Sequence, residues 1–113
     1  GAIITVATGA SSGTFTTFQA QLQVSIDGGT TWFNYGPATT NDTTPANKNY
    51  AFIIYPTNTS QAAGVTPANL TTGFTQTVAI NSALPRTWRI TLTIAGTTPS
   101  ITITGVRVNY MTA

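Results

Sequence analysis

Six side chains in this 113-residue chain carry a formal charge: Asp27, Asp42, Lys48, Arg86, Arg89 and Arg107. The chain contains no His, no Cys and no Glu. A general acid/base pair would therefore have to be Asp27 with Asp42, and Asp27 sits in a turn sequence that has its own use for a carboxylate. Six Ser and many Thr are present, but no imidazole can activate them, and Lys48 stands alone as a base with no motif around it. Transition-metal sites lack their usual nitrogen and sulfur ligands. Calcium would have to use Asp42 with Asn41 and backbone carbonyls, where one carboxylate in a Thr-rich loop reads first as a turn residue. Glycine patterns that cradle phosphate are missing. This inventory predicts no enzyme, no cofactor and no metal.

One local motif is specific. Ser25-Ile26-Asp27-Gly28-Gly29-Thr30-Thr31-Trp32 fits the pattern S-x-D-x-G-x-T-W, the Asp box, and resembles the hairpins of sialidase propellers. Its logic is local: the carboxylate accepts backbone N–H bonds inside the turn, and the Trp packs beneath the hairpin. A single copy, with no Glu for an acidic active site, predicts a structural turn at Asp27, Gly28 and Gly29 and no glycosidase.

These residues need a scaffold, and the composition says which kind. Only 5% of residues are charged against 41% apolar, and 26 are Thr, a β-branched residue suited to a pleated surface wet on one side. The length fits one domain, residues 1–113. High β-propensity with few charges is an aggregation hazard for a free monomer, so either the strand edges are covered or the protein lives in an assembly. No basic run with interleaved aromatics points to nucleic acid. The longest purely apolar run, Ala51 to Tyr55, is far short of a membrane helix. No signal-peptide pattern opens the chain, and Gly1 in place of Met suggests a trimmed start or a fragment.

Period-2 alternation dominates and helical periodicity is nearly absent. Phe15 to Ile26 predicts a long strand with Phe18, Ala20, Leu22, Val24 and Ile26 inward and Thr17, Gln19, Gln21, Gln23 and Ser25 outward. Asp27-Gly28-Gly29 then predicts a tight hairpin, with Thr30 to Tyr35 as the return strand. Gly36 to Lys48 and Thr57 to Asn69 read as loops. Tyr50 to Tyr55 is apolar on both faces, which places Ile53 and Tyr55 either in a core or at a subunit contact. Leu70 to Ile80 reads as a strand weakened by Gly73. Arg86 to Ala95 puts Trp88, Ile90, Leu92 and Ile94 on one face, and Gly96 to Pro99 predicts a turn. Ile101 and Ile103 then face inward, but beyond Gly105 the inward set becomes Val106, Val108 and Tyr110. That slip of phase at a glycine predicts a β-bulge. With Ile3 to Val6 as an opening strand, the expectation is an all-β, single-domain, two-sheet β-sandwich, jelly-roll or Ig-like, of about seven or eight antiparallel strands.

Trp32 should face opposite to Phe33 and Tyr35 along one strand, leaving one set outside the core unless a second layer covers it. Such aromatics pack in a core, anchor a protein contact or stack on a sugar. Arg89 projects from a polar face and could pair with a partner's carboxylate. The candidate interface is therefore Trp32, Phe33, Tyr35, Ile53, Tyr55, Arg86 and Arg89.

The stretches Gln21 to Phe33 and Leu84 to Ser100, with their S-x-D-G-G-x-T-W and LPR-x-W-R…GTTPS patterns, resemble small virion accessory proteins of tailed phages, particularly capsid decoration (cement) proteins. The resemblance implies a structural protein on the outer surface of the capsid, a homotrimer that bridges neighbouring copies of the major capsid protein or another virion protein. It implies no defined site. A carbohydrate- or receptor-binding module of a phage fibre or secreted protein is the alternative, with a glycan as ligand; a pilus or surface-layer subunit is a third reading.

Overall fold

The computed structural model describes residues 1–54, 74–80 and 82–110. Five strands and no helix occur among them: β1 (Ala2–Ser25), β2 (Phe33–Asn34), β3 (Asn49–Ile54), β4 (Gln76–Ile80) and β5 (Thr87–Tyr110). They form one curled, mixed sheet in the order β2-β1-β3-β4, with β5 on the other side of β1. β1 pairs antiparallel with β5 over nearly the full length of both strands. β3 and β4 run parallel, in register from Tyr50↔Gln76 to Ile54↔Ile80. The expectation of antiparallel strands throughout is thus corrected, since the long connection between β3 and β4 has room for the crossover that parallel pairing needs.

The alternation read from the sequence is real, but the strand boundaries are not where the glycines suggest. Ile3 to Val6 and Phe15 to Ile26 are two limbs of the single 24-residue β1. Likewise Gly96 to Pro99 does not end a strand but bends the 24-residue β5. Bends are made here by bulges rather than by loops. The β1–β5 register shifts between Ala7 and Thr8, Thr8 and Ser11, Ser12 and Thr14, and Phe15 and Thr17. The first shift takes the pairing from Gly105 to Ile103, which is the bulge expected at Gly105. An extra residue on one strand bends and twists the ladder without breaking it.

At the bend the two strands press together. A Cβ on Gly96 would lie 1.9 Å from the Thr14 carbonyl oxygen, and one on Gly13 would lie 2.1 Å from that of Thr98. Both glycines also have positive φ, 145° and 77°, as does Thr98 at 47°.

Folding the ribbon at this point brings the inner faces of its limbs together. Ala2 and Ile4 from one limb meet Ala20 and Leu22 from the other, with Phe52, Ile54, Val78 and Ile80 completing the cluster. Nearer the bend, Val6 packs with Phe15, Phe18 and Tyr50, and the Phe18 and Tyr50 rings lie 5.4 Å apart. Phe18, Ala20, Leu22 and Val24 are buried as expected. Ile26 is not. It is 82% exposed, because β1 ends at Ser25 and the turn swings Ile26 away from the core.

Away from the bend, β1 is covered along both edges. β5 lies on one side; on the other, β3 gives way to the irregular segment 35–47, which behaves as a substitute strand. Tyr35, Thr39 and Asp42 donate backbone N–H bonds to the carbonyls of Leu22, Ala20 and Phe18. Side chains fill the gaps that irregular backbone leaves: Asn41 Oδ1 accepts from Phe18 N (2.8 Å) and Thr39 Oγ1 from Ala20 N (2.9 Å). Buried backbone donors must find partners, and Thr and Asn supply them where a ladder cannot. The segment read as a loop from Gly36 to Lys48 is thus irregular but firmly attached.

Of the remaining expectations, the return strand shrinks from Thr30–Tyr35 to Phe33–Asn34, paired as Val24↔Phe33 and Gln23↔Asn34. The strand expected over Leu70–Ile80 is seen from Gln76 to Ile80; Leu70 to Gly73, the loop Thr57 to Asn69 and Tyr55 lie outside the described residues.

Candidate functional site

The hairpin tip is built from its motif outward. Ser25 Oγ accepts from Gly29 N at 2.8 Å and donates to Asp27 Oδ1 at 2.8 Å. The same carboxylate oxygen accepts from the backbone N–H of Thr30 (3.1 Å) and Thr31 (2.8 Å). Those bonds, led by the Thr31 backbone and hydroxyl and then by Ser25, hold the Asp27 carboxyl at about 2, below its ordinary 3.8. Gly28 and Gly29 have φ of 77° and 101°; a Cβ would meet nothing within 4 Å at Gly28 and only ordinary contact with the Trp32 ring, at 3.7 Å, at Gly29, so conformation, not room, requires glycine there. Trp32 closes the turn by donating from Nε1 to the Gly29 carbonyl at 3.0 Å. The Asp27 carboxylate is thus bonded within its own turn.

Trp32 is half-buried, and its ring carries the Arg89 guanidinium 4.2 Å from the centroid. Arg89 Nε also donates to Gln23 Oε1 at 2.9 Å, its cross-strand neighbour. Phe33 is 48% exposed, whereas Tyr35, two residues on, is half-buried against the core and donates its hydroxyl to the Ala83 carbonyl. Phe33 stands opposite Val24 and the Tyr35 N–H bonds the Leu22 carbonyl, so the two aromatics share the inward face of β1, with Phe33 at the end of the ladder and Tyr35 against the core. Ile53 is corrected as an interface residue. It is 1% exposed, one of five consecutive buried residues in β3, so the core reading of that doubly apolar strand holds.

Asp42 and Asn41, weighed as calcium ligands, are committed to the chain itself. Asp42 takes Lys48 Nζ at 2.9 Å, the Tyr50 hydroxyl at 2.8 Å and Thr44 N at 2.8 Å. Burial pushes the Asp42 carboxyl up, but the Lys48, Thr44 and Tyr50 hydrogen bonds outweigh it and leave the carboxyl below its ordinary value. Burial and the neighbouring carboxylate together push the Tyr50 hydroxyl well up. No cluster of three or more His, Cys, Asp or Glu occurs among the described residues.

Two surfaces went unread in the sequence. An open cleft of about 440 Å³ is lined by Gly1, Ala83, Leu84, Pro85, Arg86, Trp88 and Tyr110. It joins Arg86 to two aromatics that lie at opposite ends of β5, neighbours only because the ribbon folds back. The second surface is β5 itself. It pairs with β1 alone among the described residues, leaving its other edge open, and no residue along it is fully buried. Val106, Val108 and Tyr110 stand opposite the fully buried Val6, Ile4 and Ala2, yet are 54%, 39% and 68% exposed. They sit on the inner face as the sequence predicts, but among the described residues no strand beyond β5 covers them.

No protein-family model, no curated protein and no solved structure matches the chain.

Proposed function

We propose that the chain is a non-enzymatic structural protein of a tailed-phage particle, a capsid decoration or cement protein that binds the outside of the shell as a homotrimer and stiffens it. The open side along β5 carries this reading. A 24-residue strand that pairs along one edge only among the described residues, with a half-covered apolar row in a chain of six charges, is poorly suited to life alone in water. On this reading the folded ribbon is a small sandwich, and the Thr, Asn and Gln of its outer faces suit wide, wet contacts. Each contact needs only modest strength, because repetition over a lattice raises the effective affinity. The major capsid protein is the partner. Mixing the purified chain with heads of the parent phage that lack it tests the proposal: co-sedimentation at a fixed ratio to the capsid protein supports it, and recovery wholly in the supernatant removes it.

The cleft beside Trp88 favours a second reading, a receptor- or glycan-binding module. Trp88 and Tyr110 offer ring faces to a sugar and Arg86 offers donors. Trp32 is the poorer platform, since Arg89 already occupies one of its faces. Glycan-array binding that is lost in Trp88→Ala and kept in Trp32→Ala would favour this module over the cement protein.

A further inference from the structure

We infer that the open side along β5 is the surface through which copies of this chain join to one another. The inference rests on the reading of the chain as an assembly protein and adds the surface that makes the assembly. Because the ribbon folds at Gly13 and Gly96, both limbs of β5 lie on the same side of the molecule, and the apolar interior shows between them. Ile101 and Ile103 pack there half-buried beside Ile90 and Leu92, and Ile94, Val106, Val108 and Tyr110 are exposed.

Three observations select a second copy as the cover. The inner row of β5 carries no charge. Arg89 and Arg107 stand opposite Gln23 and Thr5, on the outer faces of their limbs. Two such rows therefore meet without a like-charge penalty along their length, and the cation that borders them, Arg86, lies at the Trp88–Tyr110 end. The molecule measures 42 × 36 × 21 Å, so one side wall offers on the order of 800 Å² per partner, the size of a stable protein interface. Finally, the wall needs cover from the moment the chain folds, and the partner always present at that moment is another copy. Pairing through β5 also satisfies the N–H and C=O groups of its free edge.

The experiment measures mass by light scattering over a dilution series for the full chain, the double variant Val106→Lys with Val108→Lys, a second variant Ile94→Lys on the other limb, and Ile26→Lys as an exposed apolar control in the turn after β1, outside the β5 row. Circular dichroism confirms that each keeps its β signal, and binding to phage heads is followed in parallel. The inference expects a closed oligomer for the full chain and for Ile26→Lys, and a shift of at least about tenfold toward monomer for both β5 variants, with faster hydrogen exchange along β5. A monomeric full chain, or an oligomer indifferent to both β5 variants, overturns it. A monomer that still binds heads overturns this inference and the homotrimer, and leaves the decoration role standing. A β5-dependent oligomer that ignores heads supports the inference and removes the phage role.

Discussion

The guanidinium of Arg89 lies 4.2 Å from the ring centroid of Trp32 and ties the turn after β1 to the first residues of β5. Removing it should loosen the hairpin tip without disturbing the core. Arg89→Ala should cost about 0.5–1 kcal/mol, the range for an exposed cation–π contact. Arg89→Lys should cost less, because an ammonium still sits over the ring but cannot spread across it. Urea denaturation read by Trp fluorescence checks both. A stability unchanged in Arg89→Ala would mean that the contact carries nothing.

Acid stability should rest on two carboxylates. Asp27 and Asp42 are the chain's only side-chain carboxyls, and both ionise below the ordinary 3.8 when folded, Asp27 at about 2. A carboxyl whose folded value is depressed contributes its stability in full above the unfolded value and loses it as pH falls through the folded one. The denaturation midpoint should therefore be flat from about pH 5 to about pH 8 and fall between about pH 4 and about pH 2. Asp27→Asn should flatten part of that fall, and adding Asp42→Asn most of the rest. A midpoint that drifts across neutral pH would contradict the assignment.

The bend at the middle of the ribbon should be the least forgiving place for a methyl group. Gly13→Ala and Gly96→Ala drive a Cβ into backbone carbonyls at positive φ and should prevent folding or expose the β5 side. Gly28→Ala meets nothing within 4 Å and should cost only the conformational term, about 1 kcal/mol. Thr98 points the other way: a β-branched residue at φ 47° is strained, so Thr98→Asn should stabilise by about 1 kcal/mol. Thermal denaturation of the four variants should rank them in that order.

Asn41 holds the substitute strand to β1 through two bonds, from Phe18 N at 2.8 Å and to the Thr16 carbonyl at 2.9 Å. Asn41→Ala should cost about 1–3 kcal/mol by leaving Phe18 N without its partner. It should also raise the hydrogen-exchange rate at Phe18 and Ala20 before it affects Ile4 or Val6. Uniform loss of protection would instead point to global destabilisation.

Much of this was legible in the residues. The alternation from Phe18 to Val24, the Asp27 turn and the phase slip at Gly105 are local signals, and each reports its own geometry. What misled was punctuation. Gly96 to Pro99 read as a chain reversal and Ile3 to Val6 as a strand of its own, but a strand paired along its length can absorb glycines as bulges, so two long bent strands looked like four short ones. The burial of Ile53 on a face apolar in both directions could be foreseen only as one of two outcomes. The exposure of Val106, Val108 and Tyr110 left no trace at all, because alternation tells which face a residue takes and never whether another strand lies beside it. The cleft joining Trp88 to Tyr110 is invisible for a related reason: it exists only once the ribbon has folded.

The role proposed for this chain is attachment to a phage shell. Cryo-electron microscopy of heads of the parent phage, with the chain present and deleted, tests it most directly. The proposed role requires density the size of this domain at every equivalent site on the outer surface, absent in the deletion, whose heads release DNA at lower temperature. Identical maps and equal heat resistance would contradict it.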